Sequence, residues 1–480
     1  MRSVLALDQG SHASRACLFD ESGALCAAAS CAVGSQRQGS DRVEQDPREL
    51  ASSLQQALRQ CLAQSPLARP MVAGLATQRS SIVCVDRASG RPLSPVLSWQ
   101  DRRHAAWLEQ FRADEAHIRR ITGLPLSAHY GASKMRWCLD HLPEVQRAEN
   151  AGTLLVLPLA AWLVTRLTGA PARLDPANAS RTLLWDSATL DWSEDLLRLF
   201  GVPRALLPDC VATRSDYGQF VGPDAAGHGI ALRACTGDQS AVPFFAGEAD
   251  PHTAYVNLGT GAFIQRPLTT RPNAPEPLLG SVLRSDESGA LYSLEGTVNG
   301  GGSAVSALVA AESLDEAQLW RQLESLPDDT DLPLYVNGIG GLGSPWWRPQ
   351  VASRFIGRGD ALRRFAAVVD SIAIMLAVNF ARMAEHGAGL RRVLLMGGMS
   401  RSDWLCRRLA AACEAPVERV TAEATARGAA ALAAPEWARD WAPVAGQRFE
   451  PEPPRGFAQR QARLCALLDD AAGSANRRIT

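Results

Sequence analysis

The sequence predicts an α/β protein made of two large domains that share one topology. Three observations lead there. The chain has 480 residues, too many for one ordinary core. Strand and helix patterns alternate through its first half behind an opening of tightly turned strands, which gives a partly antiparallel sheet. The opening pattern of strand, glycine turn and strand then recurs near residue 250, as a duplicated domain would.

The elements follow in chain order. VLALD (4–8) is an apolar run that ends in the turn QGSH, and SRACLFD (14–20) alternates as a second strand. ESGA turns the chain into LCAAAS (25–30), so the opening is an antiparallel meander. At Asp46 the pattern changes. DPRELASSLQQALRQCL puts Asp at the N-cap, Pro at the first helical position and Glu in the first turn. A strand (MVAGLAT), a polar loop (QRSS) and another strand (IVCVD) come next, and the alternation runs to about Ser240. HTAYVNLGTGAFIQRPL (252–268) repeats the opening hairpin. A glycine-rich helix entry (EGTVNGGGSAVSALV), a strand (LPLYVNG) and a long amphipathic helix over about 360–385 follow. A strand ending in Gly-Gly (RVLLMGG), a helix (SDWLCRRLAAAC) and an Ala-rich helix from Ala424 complete the pattern. The domain boundary is expected near residue 247, giving domains 1–247 and 248–440 and a tail over 441–480, with disorder expected only in the last ten residues or so.

Composition narrows the function. Hydrophobic residues make up 46% and charged residues 21%, ordinary for a soluble globular chain. The formal net charge of −1 gives no sequence-wide electrostatic case for nucleic acid or for an anionic membrane. No apolar run is long enough to span a bilayer, and MRSVLALDQG enters a strand directly, without a signal-peptide apolar region. The cytoplasm is the expected location. The 11 cysteines are odd in number and scattered, with no C-x-x-C pair, and read as reduced thiols used as small hydrophobes.

Three glycine turns end apolar strands: LDQGS, NLGTG and LLMGG. Glycine lets backbone N–H groups approach phosphate oxygens. Neither G-x-x-x-x-G-K-[ST] nor G-x-G-x-x-G after a first strand is present, so a phosphate site here must use hairpin turns. Asp8 ends a buried-type strand beside Gly10 and Ser11. It fits a carboxylate that helps position Mg²⁺, with an Asx-type turn former as the alternative. Arg15 on the next strand fits either a phosphate contact or a surface salt bridge. Asp238, in ACTGDQSAV, fits an N-cap or a general base that takes a proton from a substrate hydroxyl. Arg79, Ser80, Trp99 and Asp101 lie at strand ends; Arg and Asp can hold neighbouring hydroxyls and an indole can stack on a carbon skeleton, or all can be ordinary loop and core residues. His129 in SAHYGASKMRW is open to structural and functional readings alike.

Taken together, these segments resemble the FGGY family of carbohydrate kinases, most closely its glycerol kinases. The likeness runs from VLALDQGSHASRACLFD to about residue 434 through VEQDPREL, GLATQRSSIV, SGRPLSPVLSWQDRR, TGLPLSAHYGASKMRW, DPANASRTLLWD, LDWSEDLLRLFGVPRALLP, TGDQSA, NLGTGAF, LEGTVNGGGSAV and GGMSRSDWL, and the tail from FEPE is similar as well. It implies two ribonuclease H-like, actin-like domains with a catalytic cleft between them. It implies ATP and Mg²⁺, Asp238 as general base and Asp8 near the metal. Gly10, Ser11, His12 and Arg15 fall in a first phosphate hairpin, Gly259 and Thr260 in a second. Gly302, Ser306, Gly397, Gly398 and Ser402 fall at positions around the nucleotide. Arg79, Trp99, Gln239 and Phe263, with Asp238, fall at substrate contacts, and Ser80, Asp101 and His129 stand beside them.

The departures are specific. Glycerol kinases carry Glu directly after the Arg of their Q-R-E segment, where this chain has Ser80. A substrate-contact Tyr aligns with His129, a hydroxyl residue with His12, a Gln near the nucleotide with Ser306 and an Asn with Ser402. Xylulokinases carry Met-His where this chain has Arg79-Ser80. The expected activity is ATP-dependent phosphorylation of a hydroxyl on a small polyol or sugar. The alternatives are a true glycerol kinase, a sugar- or nucleotide-binding sensor without turnover, and a chaperone or filament protein of the same superfold. A homodimer is compatible with the sequence, which does not itself reveal the oligomeric state.

Overall fold

The structure, a computed structural model, describes residues 2–66, 69–221, 229–272, 277–387, 389–420, 423–441 and 446–473. The expected disorder of the last ten residues falls mainly on 474–480, outside the described residues.

The first sheet holds β1 (Arg2–Gln9), β2 (Ala13–Asp20), β3 (Leu25–Ala32), β4 (Arg69–Thr77) and β5 (Ala231–Gly237), in the order β5-β4-β1-β2-β3. β1, β2 and β3 form the antiparallel meander, and β4 and β5 run parallel to β1. β1 is central and buried on both faces from Ser3 to Gln9, which is why it reads as a continuous apolar run. The helix Pro47–Gln64 covers the meander with Leu50, Leu54, Ala57, Leu58 and Cys61. It begins as its sequence predicts: Pro47 opens it and the Asp46 side chain accepts the Arg48 amide. IVCVD forms a strand, Ile82–Asp86, but in a separate small sheet with Gln36–Gln38, Arg42–Gln45, Val96–Leu97 and Leu154–Pro158.

The second sheet repeats the plan. It holds β6 (Thr253–Leu258), β7 (Ala262–Leu268), β8 (Leu279–Asp286), β9 (Gly289–Val298), β10 (Arg392–Met396), β11 (Val417–Arg419) and β12 (Gln447–Phe449). Their order is β8-β9-β7-β6-β10-β11-β12. Within it β6, β7 and β9 are the antiparallel meander, and β10 and β11 run parallel to β6. Both sheets therefore contain the arrangement 3-2-1-4-5 of a ribonuclease H-like, actin-like domain.

Chain order and packing part company at the C-terminal end. The Ala-rich helix Ala424–Ala433 lies on the first sheet, against β1, β4 and β5. It comes so close that a Cβ at Gly74 would stand 2.1 Å from the Ala429 carbonyl oxygen. Small residues on helix and strand permit this approach. The segment read as a tail belongs to the second half: β12 pairs with β11, and the helix Phe457–Gly473 packs on the long helix Ala361–Ala384. Arg460 fastens it there, donating to Asp370 at 2.6 Å.

Candidate active site

The first sheet brings three chemically important positions to one edge. Because β1, β4 and β5 are parallel, Asp8, Ala76 and Thr236 lie level, and the chain beyond them carries Arg79 and Asp238. Asp238 is the first residue of a short helix, Asp238–Ala241, whose N-cap is Gly237. The N-cap expectation for Asp238 is thus corrected: its Oδ1 accepts the amide of the next residue, Gln239, at 2.7 Å. Burial pushes its carboxyl up, and the neighbouring Arg79 guanidinium, whose Nε lies 3.9 Å from Oδ1, offsets part of that rise.

Asp8 is 6% exposed. Arg15 faces it across the hairpin at 3.6 Å, but half of the Arg15 side chain lies in solvent. Burial, then the charge of Asp238, push Asp8 up to about 7, with Arg15 working against them. An enclosed carboxylate with so little compensation favours a cation. Among the described residues no group of three His, Cys, Asp or Glu side chains could hold a metal alone.

A buried ion triad crosses between the halves. Glu295 on β9 accepts both terminal nitrogens of Arg79, at 3.0 and 3.1 Å, and pairs with Arg181. Ser293 also donates to it, at 3.1 Å. Burial alone would raise the Glu295 carboxyl; the charges of Arg181 and Arg79 outweigh burial and hold it well below the usual carboxylate range. Arg79 is therefore fixed from the second half while its Nε side stands beside Asp238.

The second sheet supplies the facing wall. Tyr255, Gln265 and Glu295 lie level on adjacent antiparallel strands, and so do Asn257, Phe263 and Thr297, so each row shares a face. A small cavity is lined by Arg79 and Gln239 from the first half and by Tyr255, Phe263, Gln265 and Glu295 from the second. Phe263 is 39% exposed, an apolar surface beside polar groups.

The remaining substrate-side candidates divide. Trp99 donates from Nε1 to Ser11 Oγ at 2.9 Å and stands 6.1 Å, ring centre to ring centre, from His129. Lys134 fastens the His129 loop from below, donating to the carbonyls of Ala128, His129 and Tyr130. Ser80 is buried, at φ 64°, and its hydroxyl donates to the Arg181 carbonyl. Asp101 is the clearest correction. It is 0% exposed, and its oxygens are taken up by Arg103 and by the Val43 amide. In this arrangement it anchors the Trp99 loop and presents no oxygen to a ligand.

The phosphate-side candidates lie at the two hairpin turns, on the helix that begins against the second of them, and in the segment after β10. Gly10 donates to the Ala13 carbonyl in the first, and Gly259 donates to that of Gly261 in the second. The helix Gly302–Glu312 begins against the second turn: Gly302 and Ser303 donate to the carbonyls of Gly259 and Thr260. Gly397 ends β10 at φ 97°, where a Cβ would stand 2.3 Å from the Leu258 oxygen. Gly398 next to it faces open space. His12, Arg15, Gly259, Thr260, Ser306, Gly397 and Gly398 are exposed. Ser402 is buried and caps the helix Asp403–Cys413 by accepting the Leu405 amide.

Reading the sequence singled out neither Arg181, Glu295 nor Gln265. The available signal was a lone carboxylate and a lone amide inside otherwise strand-like apolar runs, LYSLEGTV and AFIQRPL.

Comparison with known proteins places the chain in a family. Residues 3–244 match the N-terminal domain, and residues 254–437 the C-terminal domain, of the FGGY family of carbohydrate kinases. Glycerol kinase of Thermus brockianus is 34% identical over 451 residues, covering 92% of this chain and 90% of that protein. Glycerol kinase of Methylibium petroleiphilum is 34% identical over 496 residues, covering 96% and 98%. In structure, glycerol kinase of Plasmodium falciparum with ADP superposes with a TM-score of 0.87 at 21% identity over 100% of this chain and 98% of that one. A ligand-bound xylulose kinase of Lactobacillus acidophilus gives 0.85 at 18% over 99% and 100%. With both halves matched in order and full-length relatives at a third identity, the chain belongs to the FGGY family of carbohydrate kinases and is glycerol-kinase-like.

Proposed function

We propose that the chain transfers the γ-phosphoryl group of MgATP to a hydroxyl of a small polyol or sugar in the cleft between its halves, with Asp238 as the base. The observation that carries this reading is the presence of two carboxylates with different surroundings, Asp8 buried and Asp238 partly exposed. Asp238 stands against Arg79, which lines the cavity together with Gln239, the residue after Asp238, while Asp8 stands against the half-exposed Arg15 at the first hairpin turn. The two hairpin turns and the Gly397 turn offer backbone N–H groups to the phosphates. Asp8 would hold Mg²⁺, whose chemistry there is to neutralise phosphate charge.

The chain's own residues do the rest. Arg79, fixed by Glu295, orients the substrate, and Phe263 and Trp99 cover its carbon skeleton. Asp238 accepts the hydroxyl proton as that oxygen bonds to the γ-phosphorus. The bond from the γ-phosphorus to the β,γ-bridging oxygen breaks, and ADP leaves. The raised carboxyl of Asp238 makes it a stronger base than an ordinary Asp. Closure of the halves excludes water, which would otherwise compete as acceptor.

The division near residue 247 belongs to this proposal, with substrate and base on 1–247, nucleotide turns mainly on 248–440, and 441–480 a tail whose strand Gln447–Phe449 and helix Phe457–Gly473 pack on the second half. The cytoplasm is the proposed location; among the described residues no helix is long and apolar enough to cross a membrane. Ser80 and His129 replace the Glu and Tyr of the glycerol-kinase pattern, and Ser80 turns its hydroxyl to a backbone carbonyl. Glycerol is therefore expected to be a poor substrate, and four- or five-carbon polyols or ketoses better ones. ADP release measured across glycerol and those longer compounds tests the reading. No turnover of any of them overturns the kinase assignment, and a preference for glycerol over every longer compound overturns the substrate assignment.

A further inference from the structure

Gln265 is 6% exposed and lines the cavity with Arg79, Gln239, Phe263 and Glu295. Its amide is half used. Nε2 donates to the Gln239 carbonyl at 2.7 Å, whereas Oε1 is buried and has no hydrogen-bond partner. The orientation is forced, because a carbonyl only accepts and must meet the NH₂ end of the amide. A buried acceptor left unpaired is unfavourable and wants a donor.

The neighbouring side chains supply none. The terminal nitrogens of Arg79 are directed to Glu295 and Ser240. The Tyr255 hydroxyl, level with Gln265 on β6, accepts the Asp250 amide and makes no hydrogen bond to Gln265 Oε1. The free acceptor also lies one residue contact from the base: the carbonyl that Gln265 holds belongs to Gln239, which follows Asp238.

We infer that Gln265 is a specificity-determining residue whose Oε1 accepts a hydrogen bond from a hydroxyl of the phosphorylated polyol or sugar. The inference rests on the kinase reading above and deepens it. It also answers the loss at Ser80. The carboxylate that the glycerol-kinase pattern places beside Arg79 is missing from the first half, and the second half supplies an uncharged acceptor on the opposite wall. A wall-to-wall site of this kind suits a substrate with more hydroxyls than a three-carbon polyol.

The test uses Gln265→Met, close in length and without the amide, on the full chain. kcat/KM is measured for the best substrate and for its single-deoxy analogues, each lacking one hydroxyl other than the one phosphorylated. The expected loss is roughly 10- to 100-fold on the parent substrate. For one deoxy analogue the ratio of native to variant is expected to shrink at least about tenfold, because the hydroxyl that Oε1 holds is already gone. The same ratio for the parent and every analogue overturns the inference, since a residue that only braces Gln239 would affect them all alike. Should Gln265→Met not fold, Gln265→Asn, which draws the amide back by one methylene, is measured in the same way with the same two outcomes. Absence of turnover by the native chain on every compound overturns the kinase reading and this inference together; a uniform ratio with good native turnover overturns this inference alone.

Discussion

At the scale of single residues, the two carboxylates make separable predictions. Asp238→Asn keeps the shape and removes the base, so kcat is expected to fall by about 10²-fold or more with near-native folding. Steady-state kinetics beside a thermal melt checks it, and an unchanged kcat would falsify the assignment. Asp8 predicts a pH effect on the ligand-free protein. Its carboxyl lies near 7 in the folded chain and at 3.8 as a free side chain, so between these values the folded state binds more protons than the unfolded one. The stability linked to this proton is complete below about 4 and is lost as pH rises through 7. Asp8→Asn removes that dependence. At pH 8 without ligands the variant is expected to be more stable than the native chain, by about 1–3 kcal/mol, and at pH 4 the advantage should vanish. Denaturant melts at the two pH values decide it. A native chain that is the more stable at pH 8 would show that Asp8 is well compensated without a cation.

At the scale of elements, what was legible in the sequence was local. The Asp46 cap, Pro47 and the glycine turns declare themselves within four or five residues, because capping and turn chemistry act over that span. The recurrence of strand, turn and strand was legible for the same reason and gave the duplicated topology. The role of Glu295 was not: Arg79, its hydrogen-bond partner, lies 216 residues away in sequence, and no local pattern encodes that pairing. Asp101 misled in the opposite sense. Its neighbours SWQDRR fit a ligand-facing loop, but Arg103, two residues on, turns the carboxylate inward. Among the turns, Gly397 carries the sharpest expectation. Its φ of 97° and the Leu258 oxygen 2.3 Å from a would-be Cβ both exclude a side chain. Gly397→Ala is expected to displace the end of β10 and raise KM for ATP by about tenfold or more, at a cost of roughly 1–3 kcal/mol in stability. KM for the polyol should change less. Equal changes in both constants, measured by varying each substrate in turn, would place the turn away from the nucleotide.

At the scale of the whole molecule, two of the features that join the halves work by different physics. The Ala-rich helix Ala424–Ala433 comes from the second half of the chain and packs on the first sheet mainly through small apolar residues, with Arg427 donating to the carbonyls of Gly23 and Phe245. The Arg79–Glu295–Arg181 triad is directional and buried, so it holds only when the halves meet in one register. Opening the cleft would have to separate Glu295 from both guanidinium groups or carry them along. Glu295→Gln removes the charge and leaves two buried cations without their partner, which is expected to destabilise the chain by about 3–5 kcal/mol. It should also change shape and chemistry together. Without the ionic clamp the ligand-free chain is expected to have a larger radius of gyration than the native chain in small-angle scattering. Saturating substrate with a non-hydrolysable ATP analogue should bring the two radii together, because closure is then held by the ligands. The charge of Glu295 helps to keep the Asp238 carboxyl raised, and Arg79, once released, can approach Asp238 more closely. Both changes lower the Asp238 pKa, so the acid limb of kcat/KM against pH should move to lower pH in the variant. A variant with lower stability but native radius and native acid limb would reduce the triad to a structural tie. A larger ligand-free radius with the shifted limb would show that one carboxylate on the second half sets both how the cleft closes and how strong a base it closes upon.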